Sequence, residues 1–89
     1  MAEPNGRHVE EVKKFILFAA QLLVDQPDAV QVTAVASQAA TIVELRVAPG
    51  KDVGIIIGQG GRNINALRRL LSAAGTKQHR KVILNFIER

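Results

Sequence analysis

The glycine-rich segment Gly58-Gln59-Gly60-Gly61 has the residue types and spacing most suited to chemistry in this chain. Glycine adopts positive φ at little cost, and its missing side chain lets another backbone approach closely. The apolar periodicity that follows predicts a helix beginning at the segment, so that unpaired N–H groups and the positive end of the helix dipole face the loop. Arg62 would add a cation in the first turn of that helix. The segment therefore predicts a binding site for an anionic group.

Other glycine motifs fit this segment poorly. The dinucleotide fingerprint Gly-x-Gly-x-x-Gly requires a different spacing, and the phosphate-binding P-loop requires a Gly-Lys-Ser/Thr end, which is missing here. An ordinary helix–turn–helix connection is the simplest alternative, because such a turn also uses glycine.

Residues suited to metal binding or covalent catalysis are scarce. The chain has no cysteine, and its two histidines, His8 and His79, lie far apart in the sequence, which argues against a metal site. Ser37, Ser72 and Thr76 have no histidine at a useful spacing except His79, which is expected in a solvated basic loop, and Asp25 and Asp28 flank Pro27 as a turn pair. We therefore expect no metal, no cofactor and no enzymatic activity.

The hydrophobic pattern predicts six elements that would position the loop. Apolar residues recur at three- and four-residue steps in the first and third helices and alternate with polar residues in the first two strands, whereas the second helix is a short apolar stretch. Gly75 is expected to be the C-terminal glycine of the last helix. The predicted helices cover residues 8–25, 51–57 and 61–74, and the predicted strands cover residues 30–35, 41–47 and 82–87.

This α-β-β-α-α-β order predicts a single α+β domain over residues 8–89, preceded by a flexible tail of residues 1–7. The first two strands are close enough in sequence to form an antiparallel hairpin. The two helices that follow allow the third strand to lie parallel to the second. We expect a three-stranded mixed sheet with all three helices on one face.

The charge of the chain is unevenly distributed. Residues 1–50 have four basic and six acidic side chains, a net charge of −2, whereas residues 51–89 have eight basic and two acidic ones, a net charge of +6. A basic half favours an anionic partner such as nucleic acid, although a solvated basic helix face is the plainer interpretation. The sequence shows neither a membrane span nor a secretion signal, so we expect a cytoplasmic protein.

The loop and its flanks resemble the KH family of nucleic-acid-binding domains. The segment Ile57-Gly58-Gln59-Gly60-Gly61-Arg62-Asn63-Ile64 matches the family pattern Ile-Gly-x-x-Gly-x-x-Ile, and Gly54 falls on a glycine that is common upstream of it. The order of elements is similar to the type II variant found in bacterial proteins. The resemblance extends over residues 9–88 and is to small, stand-alone bacterial KH proteins.

The resemblance implies binding of single-stranded RNA without catalysis, by an RNA chaperone or post-transcriptional regulator that acts with a partner. The loop would clamp the backbone of about four nucleotides. The bases would lie over an apolar groove lined by Val53, Ile56, Ile57, Ile64 and residues 43–47. The inward register of Ile57 and Ile64 suits the core as well. The residues expected to bind RNA are Gly54, Ile57, Gly58, Gln59, Gly60, Gly61, Arg62, Asn65 and Arg69.

The sequence departs from the family pattern inside the loop. KH loops often have a basic residue in the variable pair, whereas this loop has Gln59-Gly60, and its nearest cation is Arg62. Phosphate affinity would then depend on Arg62, Arg68, Arg69 and the basic residues 77–81. We expect salt-sensitive binding with low sequence specificity.

A protein-interaction module is the main alternative to RNA binding. Ile55 beside the loop, and a helical stripe of Phe15, Phe18 and Leu22, would provide apolar surface for a partner. The resemblance implies a homodimer, and pairing with a larger RNA-binding protein of the KhpB (Jag) type. The stripe could equally cover a sheet edge within one monomer.

Overall fold

The computed structural model describes residues 4–88 of the chain, with the side chains of residues 7–88. The predicted order of elements is confirmed, with short 3-10 turns at Pro27–Ala29 and Gln59–Gly61. The helices are α1 (Pro4–Leu23), α2 (Lys51–Ile57) and α3 (Arg62–Lys77). The strands are β1 (Gln31–Ala36), β2 (Ala40–Arg46) and β3 (Lys81–Ile87).

The three strands form one mixed sheet in which β2 is central. Strands β1 and β2 are antiparallel, and β3 lies parallel to β2 on its other side. Ser37 closes the β1–β2 hairpin, since its backbone N–H donates to the carbonyl oxygen of Ala40 at 2.8 Å. The predicted hairpin and the predicted parallel pairing are both confirmed.

The core lies between one face of the sheet and the three helices. Its fully buried side chains include Ile16 of α1, Ile56 of α2 and Leu71 of α3, which meet Val43 and Leu45 of β2. Alternation along β2 leaves residues 42, 44 and 46 on the opposite, open face. The apolar periodicity of each helix is thus the reason why all three pack on the same side.

Helix α1 begins earlier than the sequence predicts. Residues 4–7 were expected in a flexible tail, but the helix starts at Pro4, and residues 1–3 lie outside the described residues. Proline suits the first position of a helix because its fixed φ is helical and its missing N–H would have no partner there. The tail prediction is therefore wrong for residues 4–7.

Helix α3 continues past Gly75, which was expected to end it. Gly75 is buried inside the helix, which ends at Lys77. A Cβ atom at this position would collide with the carbonyl oxygen of Arg80 and would lie 2.9 Å from Cγ2 of Val82. Glycine is needed here for close packing of α3 against the start of β3 rather than for a left-handed helix end.

A buried carboxylate joins the start of α2 to the segment between α1 and β1. The Asp52 side chain is buried, and its two oxygens accept hydrogen bonds from the backbone N–H groups of Asp25, at 2.9 Å, and Gln26, at 3.0 Å. Nearby, Lys51 Nζ lies 2.7 Å from an Asp25 carboxylate oxygen, and this hydrogen bond and charge raise the pKa of Lys51. These contacts fix the start of α2, and hence the helix that leads into the glycine loop.

Within residues 4–88, no helix combines the length and apolarity needed to cross a membrane.

Candidate nucleic-acid interface

The glycine loop joins α2 to α3 through three residues in left-handed backbone conformations. Gly58 has φ 74°, Gly60 has φ 66° and Gly61 has φ 80°. The Gly58 N–H donates to the Gly54 carbonyl at 2.9 Å, and the Gly61 N–H donates to the Gly58 carbonyl at 3.1 Å. Side chains other than glycine rarely adopt such φ values. The expectation of positive φ in this loop is confirmed at all three positions.

The N-terminus of α3 opens onto this loop. Its N-cap residue is Gly61, and no side chain of the described residues caps the helix. The first N–H groups of a helix have no intrahelical partner, and they carry the positive end of the dipole. The Arg62 N–H donates to the Gln59 carbonyl of the preceding 3-10 turn, so a bound anion would supply acceptors to the N–H groups that follow Arg62.

Polar side chains extend the loop along one side of α3. Arg62, Asn65 and Arg69 are exposed, and their spacing of three and four residues places them on one face of the helix. A Cβ atom at Gly61 would lie 3.3 Å from Nδ2 of Asn65, so this amide leans back over the loop. Among the described side chains, Arg62 and Arg69 have no carboxylate partner. The structure thus places Arg62 and Asn65 beside the loop and Arg69 about two turns further along the same face of α3.

Other residues predicted to bind RNA lie on the α2 side of the loop and at its tip. Gly54 is exposed, and a Cβ atom there would have no neighbour within 4 Å. Ile57 is half-buried at the end of α2. Gln59 and Gly60 are exposed at the tip of the loop, and a Cβ atom at Gly60 would also meet nothing within 4 Å. A ligand backbone therefore has open access along Gly54 and Gly60.

The apolar groove is smaller than the sequence suggested. Ile56 is fully buried and Ile64 is nearly so. Strand β2 is central in the sheet, and its inward side chains Val43 and Leu45 are fully buried. These residues belong to the core, because the inward faces of α2, α3 and β2 meet there. Only Val53 and Ile57 of the predicted lining are half-buried.

Two of the predicted cations, Arg68 and Arg80, donate hydrogen bonds to other parts of the fold. Arg68 Nε donates to the Leu84 carbonyl of β3 at 3.3 Å. Arg80 donates to the Thr41 hydroxyl at 3.2 Å, to the Ala40 carbonyl at 3.0 Å and to the Ser37 carbonyl, and so ties the β1–β2 hairpin to the loop before β3.

The basic segment 77–81 is also far from the glycine loop. It follows the C-terminus of α3, whereas the loop precedes the N-terminus, and α3 has 16 residues. At 1.5 Å per residue the two ends are about 24 Å apart. Arg62, in the first turn of α3, therefore lies beside the loop, and Arg69 lies about two turns further along the helix. The expected contribution of residues 77–81 to phosphate affinity stays a prediction.

Comparison of the sequence with known proteins identifies the family of this chain. The sequence model of the KhpA/KhpB KH domain matches residues 13–86. The chain belongs to the KhpA/KhpB family of KH domains. It is 40% identical over 76 residues to RNA-binding protein KhpA of Clostridium acetobutylicum, covering 85% of this chain and 100% of the relative. It is 44% identical over 68 residues to the protein of that name from Caldanaerobacter subterraneus subsp. tengcongensis, covering 76% and 89%. With the Aquifex aeolicus protein it shares 38% identity over 77 residues, covering 86% and 96%.

The sequence alone did not identify Asn63 as a residue that contacts the end of α2. Its side-chain Nδ2 donates to the Ile55 carbonyl oxygen at 2.8 Å. The available signal was an asparagine in the first turn of a helix, where side-chain hydrogen bonds to backbone are common. Asp52 was missed as well, because an acidic residue in the first turn of α2 already has a local explanation in the helix dipole.

The residues predicted to contact a protein partner lie in two places, on α1 and on α2. Phe18 and Leu22 of α1 are 64% and 70% exposed, and Phe15 is 40% exposed. Phe15 also lines a groove of about 310 Å³ between α1 and α3, together with Leu70 and His8. Ile55 is half-buried in α2 and not part of this stripe. Among the described residues, no three His, Cys, Asp or Glu side chains form a group that could hold a metal ion.

Proposed function

We propose that this protein binds single-stranded RNA, without catalysing a reaction on it. The RNA backbone would lie at Gly58–Gly61, with bases over Val53 and Ile57. The observation that carries the proposal is the N-terminus of α3, which no described side chain caps, behind three glycines of positive φ. The names of the relatives, RNA-binding protein KhpA, support the same reading. KH domains hold about four nucleotides of single-stranded nucleic acid through such a loop.

The loop would recognise phosphate mainly through backbone groups. A phosphate oxygen can accept from the N–H groups of α3 that follow Arg62, while the open space at Gly54 and Gly60 admits the sugar–phosphate chain. Arg62 and Arg69 would add charge-assisted contacts, and Asn65 a neutral one.

The charge of the surrounding chain would attract RNA without determining its sequence. No acidic residue occurs between Asp52 and Glu88, so the loop and α3 face no competing carboxylate from their own segment. With a neutral pair at Gln59-Gly60 and two nearby arginines, binding should be modest and salt-sensitive. Such behaviour suits an RNA chaperone or post-transcriptional regulator in the cytoplasm that acts with a partner.

Changing Gln59 and Gly60 together to Asp tests this function. Two carboxylates at the loop tip would repel phosphate, and Asp tolerates the left-handed conformation of Gly60 better than most residues. We expect affinity for a short unstructured RNA at low salt, measured by fluorescence anisotropy, to fall at least about tenfold.

A matched control is Gln38→Asp with Ala39→Asp. Both residues are exposed in the β1–β2 hairpin turn, near the opposite end of α3, and the change in net charge is the same. The control should bind like the wild type at matched salt. Equal affinity of the loop variant and the wild type would contradict the proposed site.

A second candidate function is protein interaction through α1. Phe15, Phe18 and Leu22 form an exposed apolar stripe on α1, and Leu70 of α3, 55% exposed, continues it across the groove. Apolar surface of this kind often marks an interface. We propose that this stripe mediates a homodimer or binds a larger RNA-binding partner of the KhpB (Jag) type, leaving the glycine loop accessible to RNA.

A further inference from the structure

The end of α2 has a carbonyl that the helix itself does not pair. Ile55 lies in the last turn of α2, where carbonyl oxygens lack an intrahelical N–H partner. The Asn63 side chain from the first turn of α3 donates to this oxygen at 2.8 Å. Among the described residues it is the only side-chain hydrogen bond that joins α2 to α3. It therefore connects the two helices across the base of the glycine loop.

The same side chain packs against the first glycine of the loop. A Cβ atom at Gly58 would lie 2.8 Å from Cγ and 2.9 Å from Nδ2 of Asn63. Gly58 thus leaves the space that the Asn63 amide fills, and the amide in turn covers the Gly58 backbone. The contact links the left-handed conformation of Gly58 to the rotamer of Asn63.

We infer that Asn63 is a positioning residue for the glycine loop, acting as a latch that orders it before RNA arrives. Three positive-φ glycines make a flexible segment, and ordering such a segment on binding would reduce affinity. By tying the start of α3 to the end of α2, Asn63 holds the N–H groups of α3 and the loop in one arrangement. The part of this inference that concerns affinity rests on the proposed RNA-binding function.

Two substitutions separate the contribution of the shape of the Asn63 side chain from that of its hydrogen bond. Asn63→Leu keeps the branching and the number of side-chain heavy atoms but cannot donate, whereas Asn63→Ala removes both. We expect both variants to lower the NMR backbone order parameters of residues 58–61 in the RNA-free protein, from values typical of rigid backbone towards those of flexible loops. We expect RNA affinity to fall about three- to tenfold in both, as for loss of one hydrogen bond.

The matched control is Asn85→Ala. Asn85 is exposed on the open face of β3, on the side of the sheet opposite the helices. It should leave both the order parameters of residues 58–61 and the RNA affinity unchanged. Circular dichroism should show that all variants fold, so that loop order is compared within intact domains.

The order parameters test the role of Asn63, and the RNA affinity tests the proposed RNA site. Unchanged loop order in Asn63→Ala and Asn63→Leu would overturn the latch, whatever happens to affinity. Full loop order in Asn63→Leu alone would also overturn it, because packing rather than the hydrogen bond would then be responsible. If the wild type binds no RNA, the proposed function fails, while the order parameters still decide whether Asn63 positions the loop.

Discussion

At the scale of single residues, Gly54 and Gly75 both lie inside helices, but a methyl group would meet different surroundings at each. At Gly54 of α2 the space is open within 4 Å. At Gly75 of α3 the added Cβ would meet the Arg80 carbonyl and the Val82 side chain. The fold therefore requires glycine at Gly75 and does not require it at Gly54.

This difference predicts opposite stability changes for the same substitution. Gly75→Ala should lower the free energy of unfolding by about 1–3 kcal/mol because the helix must shift away from β3. Gly54→Ala should raise it by up to about 1 kcal/mol, because alanine loses less entropy in a helix. Urea unfolding of the two variants and the wild type measures both. A stabilising Gly75→Ala would show that α3 does not pack against Arg80 as described.

Several residue roles could not be predicted from the sequence because their partners lie far away along the chain. Asp52 binds backbone groups 26 and 27 residues earlier, and Arg80 binds groups 39 to 43 residues earlier. Local patterns give both residues an adequate explanation, as a helix-dipole charge and as a loop cation. Only the packed sheet and helices bring their partners within reach.

At the scale of elements, the order α-β-β-α-α-β was predictable because α1, α3, β1 and β2 have a clear apolar period, and α2 and β3 are apolar stretches bounded by polar residues or glycine. The ends of α1 and α3 were not. Helix α1 begins at Pro4, although the polar residues there predicted a tail up to residue 7. Helix α3 continues through Gly75, although this glycine was predicted to follow its last residue. Helix ends depend on capping and packing, which leave a weaker pattern in the sequence than an amphipathic face does.

The exposed stripe on α1 makes a prediction at this scale. If α1 mediates a homodimer, the wild type should sediment as a dimer at tens of micromolar, and Phe18→Asp should be monomeric because it buries a charge in the interface. Val35→Asp is the matched control, since Val35 on the open face of the sheet is 68% exposed and Phe18 is 64% exposed.

The dimer variants distinguish the surfaces of the molecule. A Val35→Asp monomer beside a dimeric Phe18→Asp would move the interface to the open face of the sheet. A monomeric wild type would contradict the homodimer and leave the α1 stripe to a different partner.

At the scale of the whole molecule, the positive charge of the C-terminal half is divided between folding and the surface. Residues 51–89 have a net charge of +6, but Arg68 and Arg80 hold β3 and the hairpin through hydrogen bonds. The sequence alone indicates an anionic partner, whereas the fold places Arg62 beside the loop and leaves Arg62 and Arg69 exposed on one face of α3. The glycine motif was recognisable because its chemistry is contiguous in the chain, and the surrounding groove was not.

The most direct test of the central claim is an NMR titration of the whole isotope-labelled protein with a short single-stranded RNA at low salt. The account predicts that the largest chemical-shift changes occur in residues 54–65, and that they weaken as salt is raised. Residues 31–36 of the sheet should change little. The largest changes on α1 or on the open face of the sheet, with residues 58–62 unaffected, would contradict RNA binding at the glycine loop.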